Sequence, residues 1–311
     1  MQSGGLYLNV GHTEFDLPEH ARWVKETGVR PIYFLHDLIP IRRPDLCRPG
    51  AVARHKARVK SALTNGAAII VNSQATATDL QQYALQSGKA APPVRIANLA
   101  GGDIRPPKKA RNITGKPYFL AVGTHEPRRN FLLLIKVWER LVAKLGAEAP
   151  KLTIVGQPWK HHLKSYQALE QSALRGQHLH LVKSCSDQRL GALMSGAQAL
   201  LMPTLAEGFG LPLVEALALG TPVIASDLPS LRESGKGIPL LLDPENPAVW
   251  EQAIVEFEQG STERERQKEM IKDYSPPTWA DHFAQVDPFL EALSSAARGS
   301  PASEETQCLI A

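Results

Sequence analysis

Short apolar runs alternate along this chain with longer stretches whose apolar residues recur at helical spacing. Runs at 6–10, 31–35, 68–72, 118–122, 151–155, 178–182, 199–202, 222–225 and 239–242 are mostly rich in Leu or β-branched residues and bounded by Gly, Pro, Asn or Asp. Such runs read as buried strands. Between them, 131–145 and 211–219 carry helical periodicity, and Ser73 caps a helix over 75–83. Strand and helix in alternation predict an α/β class with parallel sheets.

A break at 101–115 holds Gly101, Gly102, Pro106, Pro107 and the cations Lys108, Lys109 and Arg111, and reads as an exposed linker. It separates a first domain, residues 1–107, from a second, 108–275. Pro276 and Pro277 interrupt the chain again. Helical periodicity returns over 279–293, with Trp279, Phe283, Val286, Phe289 and Leu290 on one side, and the small polar tail 294–311 reads as disordered. The first domain offers about three strands where a complete Rossmann-like half has about five or six, so it reads as incomplete.

Composition narrows the class. With 311 residues, 43% hydrophobic and 21% charged, the chain can bury a core in each of two domains, as an ordinary globular enzyme does. A net charge of +4 is too small to argue for nucleic acid. It fits phosphate-bearing ligands, peripheral contact with an anionic membrane, or an ordinary surface balance. Cys47, Cys185 and Cys308 are far apart and match no metal spacing, which points to a reducing, cytoplasmic compartment, at the inner membrane face if lipid is met. No run is long and apolar enough to span a bilayer, and the N-terminus lacks a secretory-signal pattern. Residues 308–311 formally match a prenylation box, behind the acidic Glu304 and Glu305 rather than a basic patch.

The chemistry concentrates at two strand ends. Residues 206–215 read Ala-Glu-Gly-Phe-Gly-Leu-Pro-Leu-Val-Glu, after one buried strand and into a helix. Gly208 and Gly210 let backbone approach a ligand, Pro212 suits a first helical turn, and the free amides there face an anion, ideally a pyrophosphate. Glu215, about a turn in, is positioned for ribose hydroxyls; Glu207, before the turn, reaches toward a sugar. A plain strand–helix turn with a capping carboxylate would explain Gly210 and Pro212 but not both acids. The second strand end is Gly123-Thr124-His125-Glu126-Pro127-Arg128-Arg129-Asn130. Gly123 permits close approach where open α/β sheets bind ligands, and Arg128 and Arg129 supply charge for a diphosphate. A solvated basic helix start is the bland alternative, and it is disfavoured by the helix dipole unless an anion is present.

These segments resemble the retaining glycosyltransferases of family 4, whose signature is two glutamates separated by seven residues in the context E-G-F-G-L-P-x-x-E. Glu207 and Glu215 match it, and 216–233 looks like its continuation. The resemblance covers about 6–293. It implies a GT-B fold, two Rossmann-like parallel-sheet domains facing a cleft, with the helix of 279–293 crossing back to the first domain. It further implies that Glu207 contacts the donor sugar, Glu215 holds the ribose, and the backbone of Gly208, Phe209, Gly210 and Leu211 faces the phosphates. Arg129 stands where the family usually has lysine, and Thr124 where distant relatives have arginine. Gly123, Thr124, Arg128 and Arg129 then complete the phosphate side, and backbone near Val182 and Lys183 meets the base. In the first domain the resemblance implies that His36, in Phe-Leu-His-Asp-Leu-Ile-Pro, points toward the transferred sugar, with Asp37 orienting its loop; a hydrogen-bonded strand-end histidine is the alternative. His12 leaves the first strand and is a further acceptor-facing candidate. Catalytic roles fall to Glu207, His36 and Arg129.

No Asp-x-Asp pair, metal-ligand triad or G-x-G-x-x-G turn is present, which disfavours metal-bridged transferases and Rossmann dehydrogenases. Lys160, His161 and His162 read as a solvated helix face. The expected function is metal-independent hexosyl transfer, with retention, from a nucleoside diphosphate sugar to a saccharide or lipid-linked saccharide. The sugar nucleotide is the co-substrate and no further cofactor is expected. Residues 7–12 and 36–40 resemble bacterial mannosyltransferases of surface polysaccharides, making GDP-mannose the first candidate. Two alternatives stay open: a non-catalytic or partial sugar-nucleotide-binding protein, and a GT-B epimerase of sugar nucleotides.

Overall fold

The computed structural model describes residues 4–102, 104, 117–159 and 163–297. The chain divides into two compact units, Met1–Ala100 with Pro277–Ala311, and Gly101–Pro276. Most of the 101–115 linker, the Lys160–His162 triplet and the tail beyond 297, with its prenylation box, lie outside the described residues.

The first unit runs β1 (Leu6–Asn9), α1 (Pro18–Thr27), β2 (Arg30–Leu35), α2 (Ile39–Arg42), α3 (Ala51–Asn65), β3 (Ala68–Val71), α4 (Gln74–Gln86) and β4 (Val94–Ile96). Its strands are all parallel, in the order β1-β2-β3-β4. The central strands are apolar on both faces because both are covered. Tyr33, Leu35, Ile69 and Val71 pack with Phe15, Val59, Leu63 and Leu80 on one side. Ile32, Phe34, Ala68 and Ile70 meet Val286, Phe289 and Leu293 of the chain's last helix, Trp279–Ala297, on the other. Ser73 caps α4 as expected, its Oγ accepting from the Thr76 amide at 3.0 Å.

Three readings change here. The unit has a fourth strand, β4, which the pattern hides because it is three residues long with a cation at its centre. That Arg95 is accommodated by lying 5.1 Å from the centroid of the Phe289 ring. The last helix buries Val286, Phe289, Ala292 and Leu293, whereas Trp279 and Phe283, expected on the same side, are 53% and 50% exposed. The helix also continues to Ala297, past the point where the polar composition predicted a tail.

The second unit runs β5 (Tyr118–Val122), α5 (Phe131–Leu145), β6 (Lys151–Val155), α6 (Lys164–Gln171), β7 (Leu179–Val182), α7 (Asp187–Ser195), β8 (Leu200–Met202), α8 (Leu211–Ala218), β9 (Val223–Ser226), α9 (Pro229–Gly235), β10 (Leu240–Leu242), α10 (Pro247–Glu258) and α11 (Thr262–Ile271). The last helix is then α12. All six strands are parallel, in the order β10-β9-β8-β5-β6-β7. The chain winds outward from β5 through β6 to β7, then returns to the other side of β5 and winds outward through β8, β9 and β10. That reversal is the doubly wound topology of a Rossmann-like sheet. Phe131, Leu134, Trp138, Trp250 and Phe257 fill one face; Leu193, Met194, Leu213, Leu217 and Leu231 fill the other. The reversal falls between β5 and β8, so the loops leaving those strands flank the crevice where such sheets bind ligands.

Candidate active site

Two backbones approach closely at the end of β5. Gly123 has φ +148, and a Cβ there would lie 3.0 Å from Arg129 Nε. A Cβ on Gly156, at the end of β6, would lie 1.8 Å from the Gly123 carbonyl oxygen, so no larger residue fits without displacing the loop. His125, 1% exposed, pins the two strand ends together. Its amide donates to Gln157 O and its Nε2 bonds Gly156 O, both at 3.0 Å. Arg128 and Arg129 follow on a tight 3-10 turn, Pro127–Arg129. Asn130 then adopts φ +55, a conformation asparagine tolerates, and its side-chain amide donates to Pro244 O at 2.9 Å.

The loop after β8 is fastened to this turn. Leu205 N–H donates to Arg128 O at 2.7 Å, and Thr204 Oγ1 lies 2.8 Å from the same oxygen. Ser230 Oγ donates to Glu207 O at 2.7 Å. The consequence is an ion-pair cluster. Glu207 Oε2 accepts from Arg129 Nη1 at 2.5 Å and lies 3.5 Å from Arg128 Nη1, while Arg128 Nε donates to Glu126 Oε2 at 2.7 Å. The Arg129 and Glu207 side chains are 15% and 11% exposed. Burial pulls the Arg129 guanidinium below its ordinary pKa and the Glu207 carboxylate opposes that; arginine stays cationic at neutral pH. Arg129 Nε is buried and finds no hydrogen-bond partner among the described residues.

Gly210 has φ +98, and a Cβ there would meet Leu231 Cδ2 at 2.5 Å. It heads α8 without a side-chain cap; Pro212 has no N–H and the Leu213 and Val214 amides bond Gly210 O, so the Leu211 amide is the one the helix start offers to an anion. Gly208 N–H donates to its neighbour Glu207 Oε1 at 3.2 Å. Phe209 is 3% exposed, so its ring anchors the loop and only its backbone is left for a ligand. Leu211 opens α8 and is half-buried. Glu215 Oε1 accepts from the Gly102 amide at 3.0 Å. Burial pushes its carboxyl above the usual range, with that amide working the other way.

Beside Gly123 opens a cavity of about 700 Å³ whose walls include Gly123, Thr124, Gln157, Trp159, Lys183 and Cys185. Of the residues named from sequence, Gly123, Thr124 and Lys183 line it, whereas Arg128, Arg129, Glu207, Gly208, Phe209, Gly210, Leu211 and Glu215 do not. Val182, expected to contribute backbone, packs its side chain against the core, and its carbonyl accepts from the Gly156 amide at 2.9 Å. The Lys183 ammonium sits 5.6 Å from the centroid of the Tyr166 ring. Sequence reading missed Gln157, Trp159, Thr204, Ser230 and the pinning role of His125. A legible signal existed for the first two: Gly156 follows β6 just as Gly123 follows β5. Among the described residues no three His, Cys, Asp or Glu side chains gather as a metal-ligand group.

In the first unit the His36 amide donates to His12 Nε2 at 3.2 Å, and His36 Nε2 bonds Val10 O at 3.1 Å. The His12 ring lies 5.0 Å from that of His36 and 5.8 Å from that of His55, which itself bonds Asp37 O at 3.0 Å. Burial first, then the neighbouring His36 and His55, lower the His12 pKa to about 3, so it is neutral. That spends His12 Nε2 on holding the His36 backbone. Asp37 Oδ1 accepts from the Ile39 amide at 3.0 Å and so orients the loop.

The sequence profile described as Glycosyl transferases group 1 matches residues 104–274, more than half of the 311. The chain belongs to that family. As a group 1 glycosyl transferase it is 33% identical over 142 residues to the O-antigen chain mannosyltransferase RfbU of Salmonella typhimurium, covering 46% of this chain and 38% of that one. It is 24% identical over 249 residues to the serotype-specific mannosyltransferase WbdA of Escherichia coli, covering 75% of this chain and 30% of that one. The matches thus span well under half the length of these relatives. Among solved structures it superposes on the sucrose-phosphate synthase of Thermosynechococcus elongatus with a TM-score of 0.72, 20% identity, and coverage of 94% and 74% of the two chains. That likeness speaks to fold: two parallel-sheet α/β units of the GT-B architecture. No helix among the described residues is long and apolar enough to cross a membrane.

Proposed function

We propose that this protein moves a hexosyl unit, with retention at the anomeric carbon, from a nucleoside diphosphate sugar to a hydroxyl of a saccharide or lipid-linked saccharide. The observation that carries the reading is the buried Arg129. It is a guanidinium at the sheet's switch point, with one donor unfilled, packed against Gly123, which itself lines a cavity of about 700 Å³. Glu207 meets the cost of burying this charge, and the unfilled Nε is the donor a ligand anion would complete.

In this reading the diphosphate takes the guanidinium donors and the backbone of the loop from Gly208 to Leu211, and Glu207, released in part, turns to the sugar hydroxyls. Arg128 and Arg129 stabilise charge as the diphosphate departs, and that pre-set field is the main source of rate. Glu215 accepts from the ribose. Lys183 and Trp159 frame the base, Trp159 offering a stacking face. His36, its backbone held by His12 and its Nε2 by Val10 O, is the residue proposed to orient the sugar. The leaving diphosphate takes the acceptor proton on the same face, so the protein supplies positioning and charge rather than a covalent nucleophile. The scheme needs no metal and no cofactor beyond the sugar nucleotide. Mannose is the favoured sugar, supported by the mannosyltransferase relatives, and GDP-mannose is the first donor to test. The proposed setting is the cytoplasm, at the inner membrane face where the acceptor is lipid-linked.

A thermal-shift panel of sugar nucleotides tests this. The right donor at 100 times its dissociation constant adds about 2.7 kcal/mol to stability, and Arg129→Ala removes the shift. A panel in which no diphosphate sugar shifts the melt overturns the reading. A donor that binds but yields neither hydrolysis nor transfer product reduces the protein to a binding module.

A further inference from the structure

A second cavity, of about 360 Å³, lies within the first unit and has no part in the donor chemistry. Its walls are Tyr7 of β1, Glu14 and Leu17 of the loop that follows, and Glu19, His20 and Trp23 of α1. The volume sits at the small end of ligand pockets, roughly 300–1,000 Å³.

Three rings form one wall. Tyr7 and Trp23 meet edge to face at 4.9 Å and 74°, and His20 lies 5.9 Å from Tyr7 and 5.7 Å from Trp23, centroid to centroid. His20 Nε2 is 2.8 Å from the Tyr33 hydroxyl, and burial holds its pKa down, so this ring adds no charge at neutral pH. The opposite chemistry comes from Glu14 and Glu19, both exposed and neither in an ion pair among the described residues. Glu14 is held in place at a cost. Its φ is +64 and that of His12 is +56, values that non-glycine residues rarely adopt. Phe15, 1% exposed and stacked 4.8 Å from Tyr33, anchors the loop in that shape, as does the bond from Leu17 N–H to Glu14 O at 2.8 Å. Strain of this kind persists where surrounding structure over-determines it, often at ligand sites.

The walls define the ligand. No lysine or arginine is among them, so two carboxylates would repel an anion. A purely apolar ligand would strip water from those carboxylates and return no hydrogen bonds. A pyranose satisfies both sides, with its C–H face on the aromatic rings and its hydroxyls donating to the carboxylates.

We propose that Tyr7, Trp23, Glu14 and Glu19 form a subsite for an uncharged pyranose of the acceptor chain. The assignment rests on the saccharide-acceptor reading above, but its binding test does not need the donor. With the full chain and no sugar nucleotide, saturation-transfer NMR is run against methyl α-mannoside, methyl α-glucoside, methyl α-galactoside and tetramethylammonium. At least one pyranoside binds, and Trp23→Ala or Glu14→Gln with Glu19→Gln weakens it tenfold or more, while Trp23→Phe, which keeps a ring, loses less. In turnover the same variants raise the KM for acceptor about tenfold without raising that for the sugar nucleotide. Pyranoside binding that survives the variants, or binding of tetramethylammonium alone, or of none of the four, overturns the subsite. If pyranosides bind here while no sugar nucleotide binds at all, the transfer reading fails and the subsite stands.

Discussion

Two carboxylates of the second unit each gather a pair of cations, and they illustrate different uses of the same pairing. Glu251, buried on α10, takes Arg140 and Lys144 from α5. Glu207 takes Arg129 and Arg128. Around Glu251 the cations remain 48% and 63% exposed, so water shares their charge and the cluster fastens two helices. Around Glu207 they are 15% and 21% exposed, they stand on a turn at the switch point, and one keeps a buried donor unfilled. What separates a site from a staple here is the burial of the cations and the open valence, not the presence of a salt bridge.

The largest break in that contrast comes from deleting one cation on each side. Arg129→Ala should lower turnover by about a hundredfold or more, the usual size for losing a donor aimed at developing charge. Arg140→Ala should leave turnover within about twofold. Steady-state kinetics on folded protein decides it, and equal losses for the two variants would erase the distinction. Gly123→Ala is subtler, because it adds a methyl where Arg129 Nε sits 3.0 Å away and where φ is +148. It should weaken nucleotide binding about tenfold by titration calorimetry and cost roughly 1–3 kcal/mol of stability from backbone strain.

On the staple side, Arg140→Ala should cost only about 0.2–1 kcal/mol in urea melts, since the arginine is half in water. The smallest effect is in pH. Lys144 first, and then Arg140, hold the Glu251 carboxyl below the ordinary carboxylate range, against the pull of burial. A carboxylate depressed in the folded state contributes stability that is fully present above its unfolded pKa of about 4.3. That contribution is lost as pH falls through the lower folded value. Acid melts of Arg140→Ala with Lys144→Ala should therefore fall less steeply below about pH 4.3 than those of the parent; parallel curves would detach Glu251 from acid stability.

Part of this was legible before any coordinates. Runs such as 118–122 and 151–155 appear as β5 and β6 with the same bounds, because a strand buried on both faces is predominantly apolar. Ser73 announced α4 because capping is a local hydrogen bond. β4 was illegible: its three residues are held by pairing with β3 and by Arg95 over Phe289, contacts far apart in sequence. Trp279 and Phe283 misled for the complementary reason. Helical periodicity says which residues share a face, not how far along the helix the partner surface extends.

For the site, glycine at a strand's carboxyl end and acids around a turn were local facts, and the chain alone declared Gly123, Arg129, Glu207 and Glu215 as a set. It did not declare that Glu207 and the arginines, 78 and 79 positions apart, hold one another. That follows from the winding reversal, which makes β5 and β8 neighbours and sets their loops side by side. Nor did the sequence show that His12 is spent on the His36 backbone, or that Thr204, Ser230 and His125 lock the loops together. Local pattern fixes what each segment must be, because hydrogen bonding and burial act within a few residues. Which charges meet, and which donor is left open, is decided only when strand order brings distant loops within hydrogen-bond range.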